Sequence, residues 1–320
     1  MSLKTKYVLL VCFFIISIFT SICMGTETFG ISRLLSLSEI DRLILFRIRM
    51  PRVIAGFIVG AGLSVTGAVL QAVLRNPLAE SYTLGISGGA SLGICVGMLL
   101  GQITVIPYFA FLGAIASVSI ILLVSSQKRF SNTTLILLGV ALNFLFSSFV
   151  LFILAVMKND RFQSTLLWLI GNISYFPAKF LFPATVIIFL ISIYLFSSGS
   201  IYDIISIGDE KAVSLGINIE REKRISFILC CIIVGFCVSL AGIIGFVGII
   251  IPHISRFFFG STHRKNLPAN FIAGGSFLVL TDTISRTLIN PVEIPVGVIT
   301  GFFGGIFFLA ILLRSKQREF

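Results

Sequence analysis

The side chains in this sequence best suited to specific polar chemistry are arginines. Arg49-Met50-Pro51-Arg52 sets two guanidinium groups three residues apart at the start of an apolar run, and Asp282 and Arg286 stand four apart near the end of a later one. A guanidinium presents a planar fork of donors that grips a carboxylate with two parallel hydrogen bonds. Two readings of the doublet are open: arginine stems snorkelling at a membrane interface, or docking to carboxylates of an external protein. Asp282 and Arg286 are likewise either an intrahelical ion pair or, through Arg286, part of the same arginine surface. No residues form a catalytic set. The chain has no GxxxxGK[ST] loop, HExxH, GxSxG or paired intramembrane aspartates, so it lacks the ATP-binding, zinc and acyl-transfer motifs. Its two histidines, His253 and His263, have no second ligand at metal spacing, and its six cysteines lie within or at the edges of apolar runs without a CxxC pair. These observations imply no cofactor, no metal and no reaction of its own.

The elements that must carry those arginines are membrane helices. Of 320 residues, 57% are hydrophobic and 12% charged, about half the charged share of a soluble chain. The charge lies in short islands between apolar runs long enough to cross a bilayer. Ten spans are expected, at 7–24, 52–73, 82–100, 107–126, 133–156, 179–198, 225–244, 246–259, 268–286 and 296–313. The first, behind Lys4 and Lys6, is too long for an ordinary signal-peptide core and reads as a retained span. With the N-terminus inside, 15 of the 24 Lys and Arg fall on the cytoplasmic side together with the C-terminus, as the positive-inside rule requires. That rule accounts for the net charge of +11 without invoking nucleic acid. Arg33, Arg42, Arg47, Arg49 and Arg52 break it by crowding one external segment, and a partner surface is a reason for them to be there.

Other motifs have structural readings. Gly85, Gly89, Gly93 and Gly97 continue to Gly101 at four-residue spacing, and Gly56, Gly60, Ser64 and Ala68 form a second stripe. Small residues on one helix face allow close packing where lipid supplies no hydrophobic force. Asn76-Pro77-Leu78-Ala79-Glu80 reads as a helix-stopping turn. The polar island around 203–224 reads as a short amphipathic helix pair on the cytoplasmic side of one transmembrane domain, 1–320. Spans 2–5 and 7–10 are an odd number of crossings apart, so a repeat relating them would be inverted.

Taken together, R-x-P-R at 49–52, Gly60-Ala61-Gly62-Leu63, Gly67, Gln71, RNPLAE, LGISGGA, GDEKAVSLGI, GIIGFVGIIIPHISRFFFGSTHR, LPANFIAGGSFLVLTDTISR and IPVGVITGFFGGIFFLAILL resemble the FecCD/BtuC-type permeases. These are the membrane subunits of binding-protein-dependent ABC importers for iron–siderophores, haem and cobalamin. The likeness covers nearly everything after the first span. It departs at Ser81, where many members have proline, and at Gly304-Gly305-Ile306, where many have Gly-x-Pro.

The resemblance implies an all-α polytopic fold of the BtuC-like type II importer kind, with ten spans per subunit in the bacterial cell membrane. It implies a second permease subunit, a copy or a paralogue, and two separate ATP-binding subunits that contact the loop between spans 6 and 7, here Asp209, Glu210, Ala212, Ser214, Leu215 and Gly216. It implies an extracytoplasmic binding protein docked on Arg49, Arg52 and Arg286. It sets an inner gate at Asn132 and Thr133. The expected cargo is a metal chelate, an iron–siderophore first among them, with haem or cobalamin as the alternative. An ion-coupled secondary transporter is the rival from another class. It needs a coupling acid inside the membrane, for which only Asp282 is a candidate.

Overall fold

A chain this apolar must satisfy its backbone within each segment, and the computed structural model is accordingly built from helices. It describes residues 2–25, 29–30, 38–82, 84–101, 103–126, 132–173, 178–290 and 292–315. Arg33, Lys128, Arg129, Lys316 and Arg318, included in the charge count above, lie outside the described residues. In chain order the helices are α1 (Leu3–Cys23), α2 (Glu39–Leu43), α3 (Met50–Leu74), α4 (Ile86–Leu99), α5 (Ile106–Ser126), α6 (Asn132–Val156), α7 (Asn159–Ile170), α8 (Ala178–Ser197), α9 (Gly199–Ile207), α10 (Asp209–Ser214), α11 (Ile219–Ala241), α12 (Val247–Phe259), α13 (His263–Thr287) and α14 (Val296–Ser315).

The ten expected spans coincide with α1, α3, α4, α5, α6, α8, α11, α12, α13 and α14. Seven of these ten are long and apolar enough to cross a bilayer, and the other three, Ile86–Leu99, Val247–Phe259 and Val296–Ile311, are shorter apolar helices. Large side chains project from the bundle into the surrounding medium, Phe257 at 83% and Phe182 at 76% exposure. Many such side chains together would be a liability in water, and they suit lipid.

The helices at Leu3, Ile219 and His263 begin four to six residues ahead of the expected spans, and two further boundaries differ for local reasons. The second span does not begin at Arg52. Helix runs from Glu39 to Leu74 without a break, and residues Ile44–Arg49 form a π-helical turn just before Pro51. A proline cannot donate to the preceding turn, and a wider π turn absorbs that missing bond. The third span begins four residues late, at Ile86, because Gly85 ahead of it has φ +77° and starts the helix from left-handed backbone that glycine adopts freely.

The inverted repeat is visible in which helices touch. Matching α3, α4, α5 and α6 to α11, α12, α13 and α14, α3 packs on α13 as α11 packs on α5, and α3 packs on α12 as α11 packs on α4. The pairs α4–α5 and α12–α13, α4–α6 and α12–α14, and α5–α6 and α13–α14 complete the correspondence, with α3 against α11 in the middle. The matched helices α4 and α12 are both short and both preceded by irregular chain. Phe246, with φ +68°, starts α12 as Gly85 starts α4.

The core lies along α3, α11 and α13, and helices within the bundle pack closely. A Cβ on Gly60 would fall 2.2 Å from the carbonyl oxygen of Gly274, so α3 and α13 touch backbone to backbone. Gly93 stands in the same relation to Phe109 of α5, at 2.0 Å.

Candidate docking, coupling and gating sites

At one end of the bundle the three expected arginines turn inward. Arg52 lies in the first turn of α3 and is 8% exposed. Its Nε donates to Asp282 Oδ1 and Oδ2 at 3.1 and 3.0 Å, and its Nη2 donates to Oδ1 at 2.9 Å. Its Nη1 reaches Glu293, in the segment after α13, at 3.1 and 3.0 Å to the two carboxylate oxygens. Arg286, one turn beyond Asp282 on α13, pairs with Asp282 Oδ2 through Nε at 3.2 Å and donates Nη2 to Ser21 Oγ of α1 at 2.8 Å. Arg49 donates to the carbonyls of Ile22 and Cys23 at the end of α1 and lies 4.1 Å over the Phe29 ring.

A buried carboxylate between two guanidinium groups joins α3 to α13, and the arginines tie both to α1. Arg49 and Arg286 are 4% exposed, so the expected arginine surface is an internal cluster whose outer edge is the half-buried Glu293. In the helix leading to α3 the exposed cations are Arg42 and Arg47. Asp282, the candidate coupling acid of a secondary transporter, is engaged by both arginines.

At the opposite end, α9 and α10 form the expected short helix pair. Asp203 of α9 accepts from the His263 backbone N–H at 2.7 Å and lies 2.7 Å from its Nδ1, which fastens the pair to the start of α13. Gly216, with φ +79°, closes α10 by donating to the Val213 carbonyl at 2.9 Å, and Ile217 donates to that of Ala212 at 3.0 Å. This left-handed stop leaves Leu215 66%, Val213 63% and Ile207 63% exposed. Glu210, Ser214 and Gly216 are exposed as well, whereas Ala212 is fully buried and faces the bundle. Of the six residues expected to meet a partner, Ala212 therefore supports the surface from beneath.

The two residues expected at an inner gate lie beside this helix pair. Asn132, the first residue of α6, donates Nδ2 to the Leu74 carbonyl of α3 at 3.0 Å, while Thr133 is exposed. Asn132 Oδ1 accepts from Lys223 of α11 at 3.0 Å, and Lys223 also reaches Asp209 Oδ2 at 3.2 Å. Arg75, beyond the end of α3, meets the same oxygen at 3.0 Å.

Just beyond Arg75, the expected turn at Asn76 forms, with the Leu78 N–H bonded to Asn76 Oδ1 at 2.9 Å. Glu80 of that turn is also connected to the other half of the molecule. Its Oε2 accepts the Phe246 N–H at 3.2 Å, so a side chain from one half satisfies a donor at the start of α12 in the other.

Comparison with known proteins shows the family of the chain. The FecCD transport family model matches residues 13–314. The chain belongs to the FecCD transport family. It is 37% identical over 282 residues to the uncharacterized ABC transporter permease protein YvrB of Bacillus subtilis, covering 86% of this chain and 80% of that one. It is 32% identical to the hemin transport system permease protein HmuU of Yersinia pestis, over 92% and 91% of the two chains. With the vitamin B12 import system permease protein BtuC of Vibrio vulnificus it shares 33% identity, over 88% and 86%. A solved structure described as an inward-facing metal-chelate type ABC transporter superimposes with a TM-score of 0.87 at 26% identity, covering 98% of this chain and 99% of that one.

This FecCD chain is thus a membrane-embedded permease of the ABC importer class. Permeases of the family work with ATPase and substrate-binding partners, and ATP hydrolysis belongs to the former. Ser21, Glu293 and Lys223, which lie outside the quoted motifs, join these clusters, as does Arg75 of RNPLAE. Lys223 carries the one usable signal, a cation immediately ahead of an apolar run in Arg221-Glu222-Lys223-Arg224. Its burial depends on partners 14 and 91 residues away.

Proposed function

We propose that this chain is the permease subunit of an importer for a metal chelate, with an iron–siderophore as the cargo to test first and haem or cobalamin as the alternative. The observation that carries the reading is the end-to-end likeness to a transporter described as metal-chelate type. The alternative rests on relatives named for hemin and vitamin B12, which are equally similar to the chain. In this reading the chain is a single transmembrane domain with both termini in the cytoplasm, as the Lys and Arg distribution favours. It pairs with a second permease subunit, a copy or a paralogue.

Two ATPase subunits would bind the exposed surface of Glu210, Val213, Ser214, Leu215 and Gly216, since an apolar patch beyond the ends of the spans suits a protein partner. The inner gate would lie at Asn132 and Thr133. The binding protein would dock at the arginine end. Arg42 and Arg47 would meet it first. Arg49, Arg52 and Arg286 form the base of that site, where a carboxylate from the partner can compete with Glu293 for Arg52.

The experiment is uptake into liposomes holding the permease with its ATPase and binding protein. Ferric siderophore, haem and cobalamin are offered in parallel, each with and without ATP. ATP-dependent accumulation of the ferric siderophore alone is expected. Accumulation of only haem or cobalamin would replace the cargo, and uptake driven by an ion gradient without ATP would overturn the importer mechanism itself.

A further inference from the structure

Four helices meet around Asp209 and Lys223. Its Oδ2 holds the ammonium of Lys223 from α11 and the guanidinium of Arg75 from the end of α3. Lys223 passes on to Asn132 of α6, and Asn132 passes on to the last carbonyl of α3. Lys223 is 2% exposed, whereas the side chains of Arg75 and Asp209 are 37% and 42% exposed. That difference matters. Exposed pairs break at little cost, but a buried ammonium deprived of its acceptors is strongly disfavoured. Arg75 can release Asp209 and turn to water. Lys223 must follow Asp209, or the site around it must rearrange.

We infer that Lys223 is the positioning residue that carries a displacement of α10 to the first turn of α6, and so links the ATPase-facing surface to the inner gate. The inference rests on the roles proposed above for α10 and for Asn132 and Thr133. The physical content is a short chain of bonds, α10 to Lys223 to Asn132, in which each link constrains the next. A ligand on α10 can shift α6 only to the extent that the two arrangements differ in these contacts. Asn132 is suited to the last link because its amide accepts from Lys223 and donates to α3 at the same time, so movement of Lys223 alters the anchoring of α6 against α3.

A packing role alone would also explain a buried lysine, so the test needs a readout that packing does not move. In the reconstituted complex of permease and ATPase, Thr133→Cys is labelled with a membrane-impermeant maleimide. The labelling rate above that of the parent chain is compared between nucleotide-free and ATP–vanadate states. With Lys223 intact the rate should change by about tenfold between states. Lys223→Gln should reduce that change to less than about twofold while the ATPase still co-purifies, and Lys223→Arg should restore most of it. Asp209→Asn, which leaves Lys223 in place, should give the same direction of loss and serves if Lys223→Gln does not fold. Lys223→Gln combined with Asn132→Ala should lose no more than either alone.

An undiminished change in Lys223→Gln or Asp209→Asn, or additive losses in the double variant, overturns the relay and leaves the gate reading standing. The absence of any nucleotide-dependent change with Lys223 intact overturns the gate reading, and the relay with it.

Discussion

Asp282 illustrates how one residue can serve several helices at once. It accepts from Arg52 and pairs with Arg286, and is 2% exposed. Removing one partner from a buried ion cluster costs about 3–5 kcal/mol, because the charges left behind are uncompensated. Asp282→Asn should therefore lower the thermal midpoint of the purified permease by several degrees, and an unchanged midpoint would mean that the cluster contributes little. Glu293 differs, since its side chain is 31% exposed and it shares Arg52 with Asp282. Glu293→Gln should leave the midpoint nearly unchanged yet tighten binding-protein docking at low salt, because Arg52 then keeps less of its charge occupied within the chain. Weaker docking in Glu293→Gln would remove the competition between this carboxylate and those of a partner.

At the scale of elements, the helices are held together by how closely their backbones approach. Gly56 and Gly60 lie one turn apart on α3 and look alike in sequence, but their surroundings differ. A Cβ at Gly56 would meet Val279 Cγ2 at an ordinary 3.6 Å, whereas at Gly60 it would lie 2.2 Å from a backbone carbonyl. Gly56→Ala should be neutral or stabilising, since alanine favours helix by up to about 1 kcal/mol. Gly60→Ala should destabilise by about 1–3 kcal/mol through forced separation of α3 from α13. Thermal midpoints of the two variants in the same detergent decide it, and equal midpoints would refute the close approach. The ten spans were legible because run length and polarity alone mark a helix in lipid. The late start of α4 was not, because Gly85 reads as one more small residue of the stripe until its φ is seen. The inward turn of the arginines was equally hidden, since Arg52 finds Asp282 230 positions away and Glu293 241 positions away. The intrahelical pairing of Asp282 with Arg286, by contrast, was one of the two readings that four-residue spacing left open.

The molecule as a whole has two ends that differ in kind. The arginine end is a charged cluster satisfied from within, so a partner there must exchange ions with it. The α10 end presents exposed apolar side chains at Ile207, Val213 and Leu215 on short helices outside the spans, so a partner there gains by covering them. Leu215→Asp places an uncompensated charge in that cover. Truncation at the centre of a protein interface commonly costs more than 1 kcal/mol, and a buried charge costs more still. Co-purification of the ATPase with Leu215→Asp should therefore fall by about tenfold or more, with the permease itself folded, since Leu215 is 66% exposed. Arg42→Glu with Arg47→Glu should do the reverse, slowing binding-protein association in a salt-dependent way while the ATPase remains bound. The two variants are informative together. If Leu215→Asp retains its ATPase, the α10 surface is not where the ATPase binds. If both variants lose both partners, the defect is in the fold and the two ends do not act separately. Loss of one partner in each is the result that two independent docking surfaces require, and it would leave their communication to the helices between them.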